Sequence, residues 1–559
     1  MMSEMFENRK ALSTKRFLQH DLKEDLFAEF SIFRLIHNVD TDEAMSNLIH
    51  TANWFEHPHP QGRDQRGESD FASIRLIPAL FECYEKLTDE AKAALKRFFL
   101  ENDYSSIYGS ENHAIMYRVS RYLAACFFQN EYFSQYKLTA KEVIEKDTKY
   151  IHEFIDFRAK YGWGEFDSFG YSAEILFILN TLYHYTKDKT LKQKSRMMLD
   201  VILLDMILDS KDGLYGGAHG RIYEYSSLNT KYSGMFHYYC FYFGGPFSEG
   251  IAAHDTMNLL SEYIPSPIVY EIEKNRVFPY ENRERKHLHS ITSWCGEILY
   301  DTLSKIKGSI NKYTYLCDEY ILGSVNHQDD YPCDLPNDAS YAHHQQHEWE
   351  LTLLSGTNHK IFSHHPGDPG YHHIHNHWTG DYGCCCGTYY TNQNTALALY
   401  NIVKENEYKY INAYIPLSIF DETILEKQYL FFKYRNLYIF VYFHNGYRIV
   451  KDGEFADCEL ISDGSQNAVI CHVEYTKDYS SLEQFASSMK DKPILFNKAA
   501  LTLDFNGITL FYHGNKENGK ENRYPYQKLY DSPYMQSIWE SGIMELTCGD
   551  KKEIYDFNR

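Results

Sequence analysis

The chain has 559 residues, 43% apolar and 24% charged, a globular composition too long for a single core and suited to two to four folding units. A formal charge of −21 argues against a general nucleic-acid binder, which needs a basic field to neutralise phosphates. No run approaches the ~20 apolar residues of a membrane-spanning helix, so no membrane partner is expected. Met1–Phe27 lacks the apolar stretch of a secretory signal, which predicts a cytoplasmic protein whose 12 cysteines are mostly reduced and buried.

From about residue 26 to residue 310 the pattern is helical. Ala72–Leu87, Ala114–Phe128, Ala173–Tyr185 and Met197–Leu208 carry apolar residues at three- and four-residue intervals. Short polar connectors separate them, as expected of stacked antiparallel helix pairs. The charge-dense stretch Lys274–Lys286 reads as a solvated connector. Residues 311–400 are irregular and rich in His, Gly and Pro, completing the helical domain or lining an active-site mouth. Beyond 400, Tyr408–Pro416, Tyr429–Lys433, Leu437–Phe443, Ala468–Glu474, Ala499–Asp504 and Ile508–Tyr512 are short, aromatic and β-branched, bounded by Gly, Asn or Asp. The expected fold is mainly α plus β: an (α/α) toroid over 1–310, the irregular region 311–400, and an antiparallel β-sandwich over 401–559.

Three connectors carry unusual chemistry. Asn112-His113 comes first; Trp163-Gly-Glu165-Phe-Asp167 follows, with Glu165 53 residues after Asn112; His219 in Tyr215-Gly-Gly-Ala-His219-Gly-Arg221-Ile-Tyr223 lies another 54 on. One helical hairpin takes about this length, so on a ring of hairpins the three loops would converge on one end. An Asn, two His, an Arg, several Tyr and a Glu/Asp pair would then line one cleft. Removing a proton next to a carboxylate needs that charge quenched, by Asn or Arg, and a base and an acid, for which His and Tyr serve. That is the equipment for β-elimination at a uronic acid. Hydrolysis would instead need two carboxylates, Glu165 with Asp167, Asp255 or Glu350, and a glycan-binding protein without turnover would need neither. A purely structural reading stands beside each: Asn112 as the cap of the helix starting near Ala114, Gly216-Gly217 as a turn, Trp163 as packing.

The Asn-His pair opening a helix, with a later Arg and Tyr, resembles the polysaccharide lyases built as an (α/α) toroid followed by an antiparallel β-sandwich, the alginate-lyase and heparinase-like groups. That resemblance implies that Asn112 neutralises the uronate carboxylate, His113 is the base or its partner, Arg221 binds a carboxylate, and Tyr223 or Tyr225 is the acid. The lyase pattern usually has two Asn before the His, whereas Glu111 precedes Asn112 here. The catalytic set is thus Asn112, His113, Glu165, His219, Arg221 and Tyr223. Trp163, Asp167, Tyr171, Tyr225, His347 and Trp378 are expected to bind an oligosaccharide substrate.

Ten of the 27 histidines fall between His343 and His377. Clustered His and carboxylates suit a divalent metal such as zinc, with His343, His344, His347 and Cys385 as candidate ligands, or a sugar-binding loop of neutral His and Trp. The stretch Asp381-Tyr-Gly-Cys384-Cys385-Cys386-Gly387-Thr388 resembles the cysteine-dependent β-L-arabinofuranosidases, which implies Cys384 as nucleophile and Cys385 as metal ligand, although that family's Glu-x-Cys zinc ligands are absent after Leu335–Asp338. No feature points to a particular oligomeric state.

Overall fold

The computed structural model describes residues 2–60, 62, 64–105, 110–287, 309–328, 346–366, 377–378, 386–403, 408–512 and 514–559. Its first half is helical: α1 (Met2–Gln19), α2 (Glu29–His37), α3 (Thr41–Ala52), α4 (Ser69–Pro78), α5 (Asp89–Glu101), α6 (Glu111–Phe127), α7 (Ala140–Tyr161), α8 (Tyr171–Tyr185), α9 (Lys189–Leu208), α10 (Glu224–Leu228), α11 (Gly234–Tyr242), α12 (Thr256–Leu260) and α13 (Pro267–Asn275). Helices α4, α6 and α8 pack side by side, while α3, α5, α7 and α9 lie against them as an outer layer. The ring closes because α1 returns to α11 and α12. Arg9 there donates to the carbonyls of Phe241 and Tyr242 at 2.8 Å each, and Phe6 meets the edge of Phe241 at 5.3 Å. The N-termini of α2, α4, α6 and α8 lie at one end of the ring: Phe27, just before α2, stacks on Phe71 of α4, Asp70 of α4 meets His113 of α6, and Asn112 of α6 is joined to Tyr171 of α8 through Glu165 and Arg221. Among the described residues, no helix is long and apolar enough to cross a membrane.

The second half is antiparallel β. Among the described residues one sheet has twelve strands. From Arg448–Ile449 it runs through Glu459–Asp463, Tyr410–Tyr414, Lys360–His364, Trp349–Leu353, Tyr320–Gln328, Ser309–Leu316 and Tyr280–His287. It then takes in the four C-terminal strands from Lys528–Asp531 to Lys551–Asp556. A six-stranded sheet packs on it, burying Leu322, Leu351 and Ile411 against Ala396, Val441 and Val473. Side chains alternate faces along each strand, so Leu430 and Phe432 face this core while Phe431 joins Phe440, Phe485 and Leu510 on the far face. There the helix Leu482–Asp491 and a five-stranded sheet cover it.

The helix-first, β-last order is as the periodicity predicts. The changeover is not at 310. Among the described residues the helical half ends with α13 at Asn275, and strand Tyr280–His287 pairs with Ser309–Leu316 on one side and Lys528–Asp531 on the other. The described parts of 311–400 are strands of the two sheets rather than irregular chain. Lys274–Lys286 misleads because its final segment, Tyr-Glu-Asn-Arg-Glu-Arg-Lys, buries charge instead of apolar groups: Asn282, Glu284 and Lys286 are each at most 1% exposed. They face the helical ring, where carboxylates from the loop after α7 and from α9 meet them.

Candidate active site

Helix α6 opens with Ser110 as its N-cap, so Asn112 is inside the first turn and free of the capping role. Its amide donates to Glu165 Oε2 at 2.6 Å, and Arg221 reaches Glu165 Oε1 at 3.2 Å. Arg221 also donates to the Tyr171 hydroxyl at 3.0 Å, with its guanidinium 4.7 Å from that ring's centre. The Tyr171 and Tyr223 hydroxyls are 2.6 Å apart, and Tyr225 stacks parallel on Tyr223 at 6.0 Å. Asn112, Glu165, Arg221, Tyr171 and Tyr223 therefore form one connected chain of polar groups. Most partners are 50–53 residues apart, close to the hairpin spacing of the sequence.

Backbone contacts hold the three connectors together. Gly220 N–H donates to Phe166 O at 2.7 Å, and Ser168 Oγ to Arg221 O at 2.9 Å. Glu111, next to Asn112, accepts the Glu165 N–H at 2.7 Å and pairs with Arg158 at 2.5 Å. Burial pushes the Glu111 carboxyl up, with Arg158 opposing it. The loop itself starts at Gly162, where φ is +70° and a Cβ would stand 2.9 Å from Lys286 Cδ, so both backbone and neighbour demand glycine. A pocket of about 10 Å³, room for roughly one water, is lined by Glu111, Trp163, Glu165 and Tyr171.

His113 points to a different partner. Its Nδ1 lies 2.6 Å from Asp70 Oδ2, from the first turn of α4, and its ring meets the edge of Phe71 at 5.3 Å. A carboxylate on Nδ1 fixes the tautomer and leaves Nε2 as the basic nitrogen. Asp70 carries no sequence signal beyond its place in the preceding hairpin. Burial pushes the Tyr171 phenol well above its ordinary value against the pull of Arg221, while Arg221 is held fully charged among Tyr171, Glu165 and Tyr223 despite its own burial.

Four expected site residues lie elsewhere. His219 is wholly buried, bonded through Nδ1 to Asp167 O at 2.9 Å, and its backbone bridges to His347. Burial, then Lys312, pulls its basicity well below the usual imidazole. Asp167 turns away from Glu165 to bind Lys312 and Lys286. His347 is buried 3.1 Å from Glu350, which also binds Lys360 at 3.2 Å. Trp378 is completely buried against Phe362, Tyr414 and Phe455, so it offers no platform for a sugar. In each case the cause is the sheet packed on this side of the ring. Trp163 is buried beside the Arg158 guanidinium at 5.4 Å, yet lines the small pocket. His343, His344, Cys384 and Cys385 lie outside the described residues.

Among the described residues, one carboxylate group has metal-like spacing: Asp167, Asp205 and Glu284. Lys286 Nζ already stands among them, at 3.7, 3.1 and 3.0 Å. The ammonium supplies the cation, and these residues do not fit a metal.

No protein-family model and no curated protein matches the chain. Solved structures similar in fold include two enzymes. Heparinase III matches with a TM-score of 0.40 and 11% identity, covering 94% of this chain and 81% of the other. Chondroitinase AC lyase, solved with oligosaccharides, matches with a TM-score of 0.40 and 8% identity, covering 94% and 89%.

Proposed function

We propose that the protein is a lyase that cleaves uronic-acid-containing oligosaccharides by β-elimination, acting in the cytoplasm on imported fragments. The observation that carries this reading is the juxtaposition in one α6 turn of an Asp70-oriented imidazole with an amide that shares Glu165 with Arg221, itself bonded to the Tyr171–Tyr223 pair. In the reaction, Asn112 and Arg221 draw charge from the uronate carboxylate and acidify the adjacent C–H. His113 takes that proton, the electron pair forms the new carbon–carbon double bond, and the bond to the glycosidic oxygen breaks. Tyr223 gives its proton to the departing oxygen. No water is consumed.

The carboxylate pairs required for hydrolysis have less support. Asp167 and Glu350 are ion-paired to buried lysines, and Asp255 caps α12 while accepting the Tyr238 hydroxyl. Glu165 is best read as positioning Arg221 and Asn112. The test is an absorbance scan on a panel of uronate and neutral oligosaccharides, with reducing ends assayed in parallel. Elimination gives an ultraviolet-absorbing unsaturated uronate with every cleavage; new reducing ends without that band would transfer the assignment to hydrolysis.

A further inference from the structure

A second cavity opens at the end of the ring that carries His113. It measures about 270 Å³, near the lower end of the roughly 300–1,000 Å³ typical of small-ligand sites. It lies between the segment leading into α2 and the C-terminal end of α3 with the loop that follows, and is lined by Asn47, His50, Thr51, Trp54, His57 and Gln65 among others. Trp54, just past the end of α3, and Phe71, in the first turn of α4 next to Asp70, both pack on Phe27, and Asp70 holds His113. The cavity and the imidazole are thus on one face of the helical ring.

The chemistry of the lining is that of a sugar site. The His50 and His57 rings stack at 4.4 Å, and partial desolvation, then the neighbouring His57, holds His50 below the usual imidazole value, so it presents neutral donor and acceptor nitrogens to hydroxyl groups. Asn47 donates its amide N–H to Leu22 O at 2.9 Å and Gln65 donates to the carbonyls of Trp54 and His57, so these two amides shape the cavity wall around the apolar body of Trp54, whose Nε1 is fixed on Gln65 O at 2.8 Å. Among the described lining residues the charges are Lys23, Glu24 and Asp25, a balance that does not favour an anion. Aromatic rings join the cavity to the base: Trp54 to Phe27 at 5.8 Å, Phe27 to Phe71 at 6.0 Å in near-parallel stacking, and Phe71 to His113 at 5.3 Å. Phe27 and Phe71 are half-buried, and Arg75 lies over both faces' edges, 5.4 and 5.5 Å from their centres.

We infer that this cavity is a distal subsite for an uncharged sugar residue, so that the substrate is a chain of several residues reaching from Trp54 and His50 along Phe27 and Phe71 to His113. The inference rests on the elimination reading for the identity of its ligand, and its test separates the two. Hyaluronan disaccharide and hexasaccharide, which alternate uronate with an uncharged aminosugar, are titrated calorimetrically into wild type and into a His50→Ala/His57→Ala double variant, whose replaced side chains are exposed and leave the fold intact. Product absorbance is followed in parallel. The expected result is hexasaccharide binding on the order of tenfold tighter than disaccharide, a gain worth about one or two hydrogen bonds, lost in the double variant with disaccharide binding unchanged. Equal affinity for both lengths, or a gain that survives in the variant, overturns the subsite whether or not product forms. Length-dependent binding that the variant abolishes, with no unsaturated product, keeps the subsite and rejects elimination. Absence of both binding and product rejects both.

Discussion

His113 Nδ1 stands 2.6 Å from Asp70 Oδ2, and Asp70 is 1% exposed. A buried carboxylate on one imidazole nitrogen orients the ring and stabilises the imidazolium that forms when the other nitrogen accepts a proton. Asp70→Asn preserves volume and an acceptor but removes the charge. It is expected to lower kcat by roughly 10²–10⁴-fold and leave KM and the melting temperature close to wild type. Full activity in this variant would show that the Asp70 charge does not serve His113 in the reaction.

Glu165 has the opposite balance of roles. Its carboxylate is the common partner of the Asn112 amide and the Arg221 guanidinium, all three nearly enclosed. Glu165→Ala leaves a buried cation without its counter-ion, which costs about 3 kcal/mol, read as a lower denaturant midpoint at constant slope. Glu165→Gln keeps the hydrogen-bonding shape and is expected to lose much less stability. Equal stability of wild type and Glu165→Ala would show that the three groups are not the unit the distances describe.

The convergence of the 112, 165 and 221 connectors was legible because a hairpin length repeated between them, and equivalent loops on a ring must meet. Helix-first, strand-last order was legible from period alone. Charge pairing across the interface was not. Glu284 and Lys286 look like a solvated run because a strand that buries ions has no apolar alternation to reveal it, and the other carboxylates on Lys286, Asp167 and Asp205, are 119 and 81 positions before it in the chain. His219 was misplaced for a related reason: it shares a loop with Arg221, but Gly220 and the positive φ of Arg221, 49°, turn the two side chains to opposite sides. Only the sheet on which His347 sits decides which side is interior.

That interface network carries a pH dependence of definite sign. Asp167, Asp205, Asp209 and Glu284 surround Lys286 and Lys312, with Tyr215 and Tyr530 beside them, and all are buried. Four carboxylates face two ammonium groups. Burial pushes Glu284 up to about 8 from 4.5, and Asp205 to about 6 from 3.8. Above each ordinary value the folded protein holds a proton that the unfolded chain has released, so stability falls as pH rises through the folded values. At the acid end Glu350 behaves in reverse: Lys360 and His347 overcome its burial and hold it at about 2, and its contribution is lost as pH falls from 4.5 toward that value. The contribution of these two groups should therefore decline between about pH 4 and pH 8 and level off above it, and Glu284→Gln, which fixes that site in its neutral form, should flatten the decline above pH 4.5 and be the more stable protein at pH 9. A decline of the same steepness in both proteins would remove Glu284 from the explanation.

Tyr223 and Tyr225 stack on each other but differ in what their hydroxyls can do. Tyr223 is 2.6 Å from the Tyr171 hydroxyl, which Arg221 contacts at 3.0 Å, so a proton leaving Tyr223 creates a phenolate next to a relay that ends on a cation. Tyr225 is 53% exposed and has only the ring stack in common with that chain. Tyr223→Phe is expected to lower kcat by roughly 10²–10⁴-fold with little change in KM, because the lost proton matters only as the glycosidic oxygen departs. Tyr225→Phe keeps the stack and should remain within about twofold of wild type. Substrates with a good leaving group, which need no proton on the departing oxygen, should restore most of the Tyr223→Phe rate while leaving a His113→Ala variant inactive. If such a substrate rescues neither variant, Tyr223 is not the acid; if the loss falls on Tyr225→Phe instead, the proton comes from the exposed ring and the Arg221–Tyr171 chain serves only to hold it.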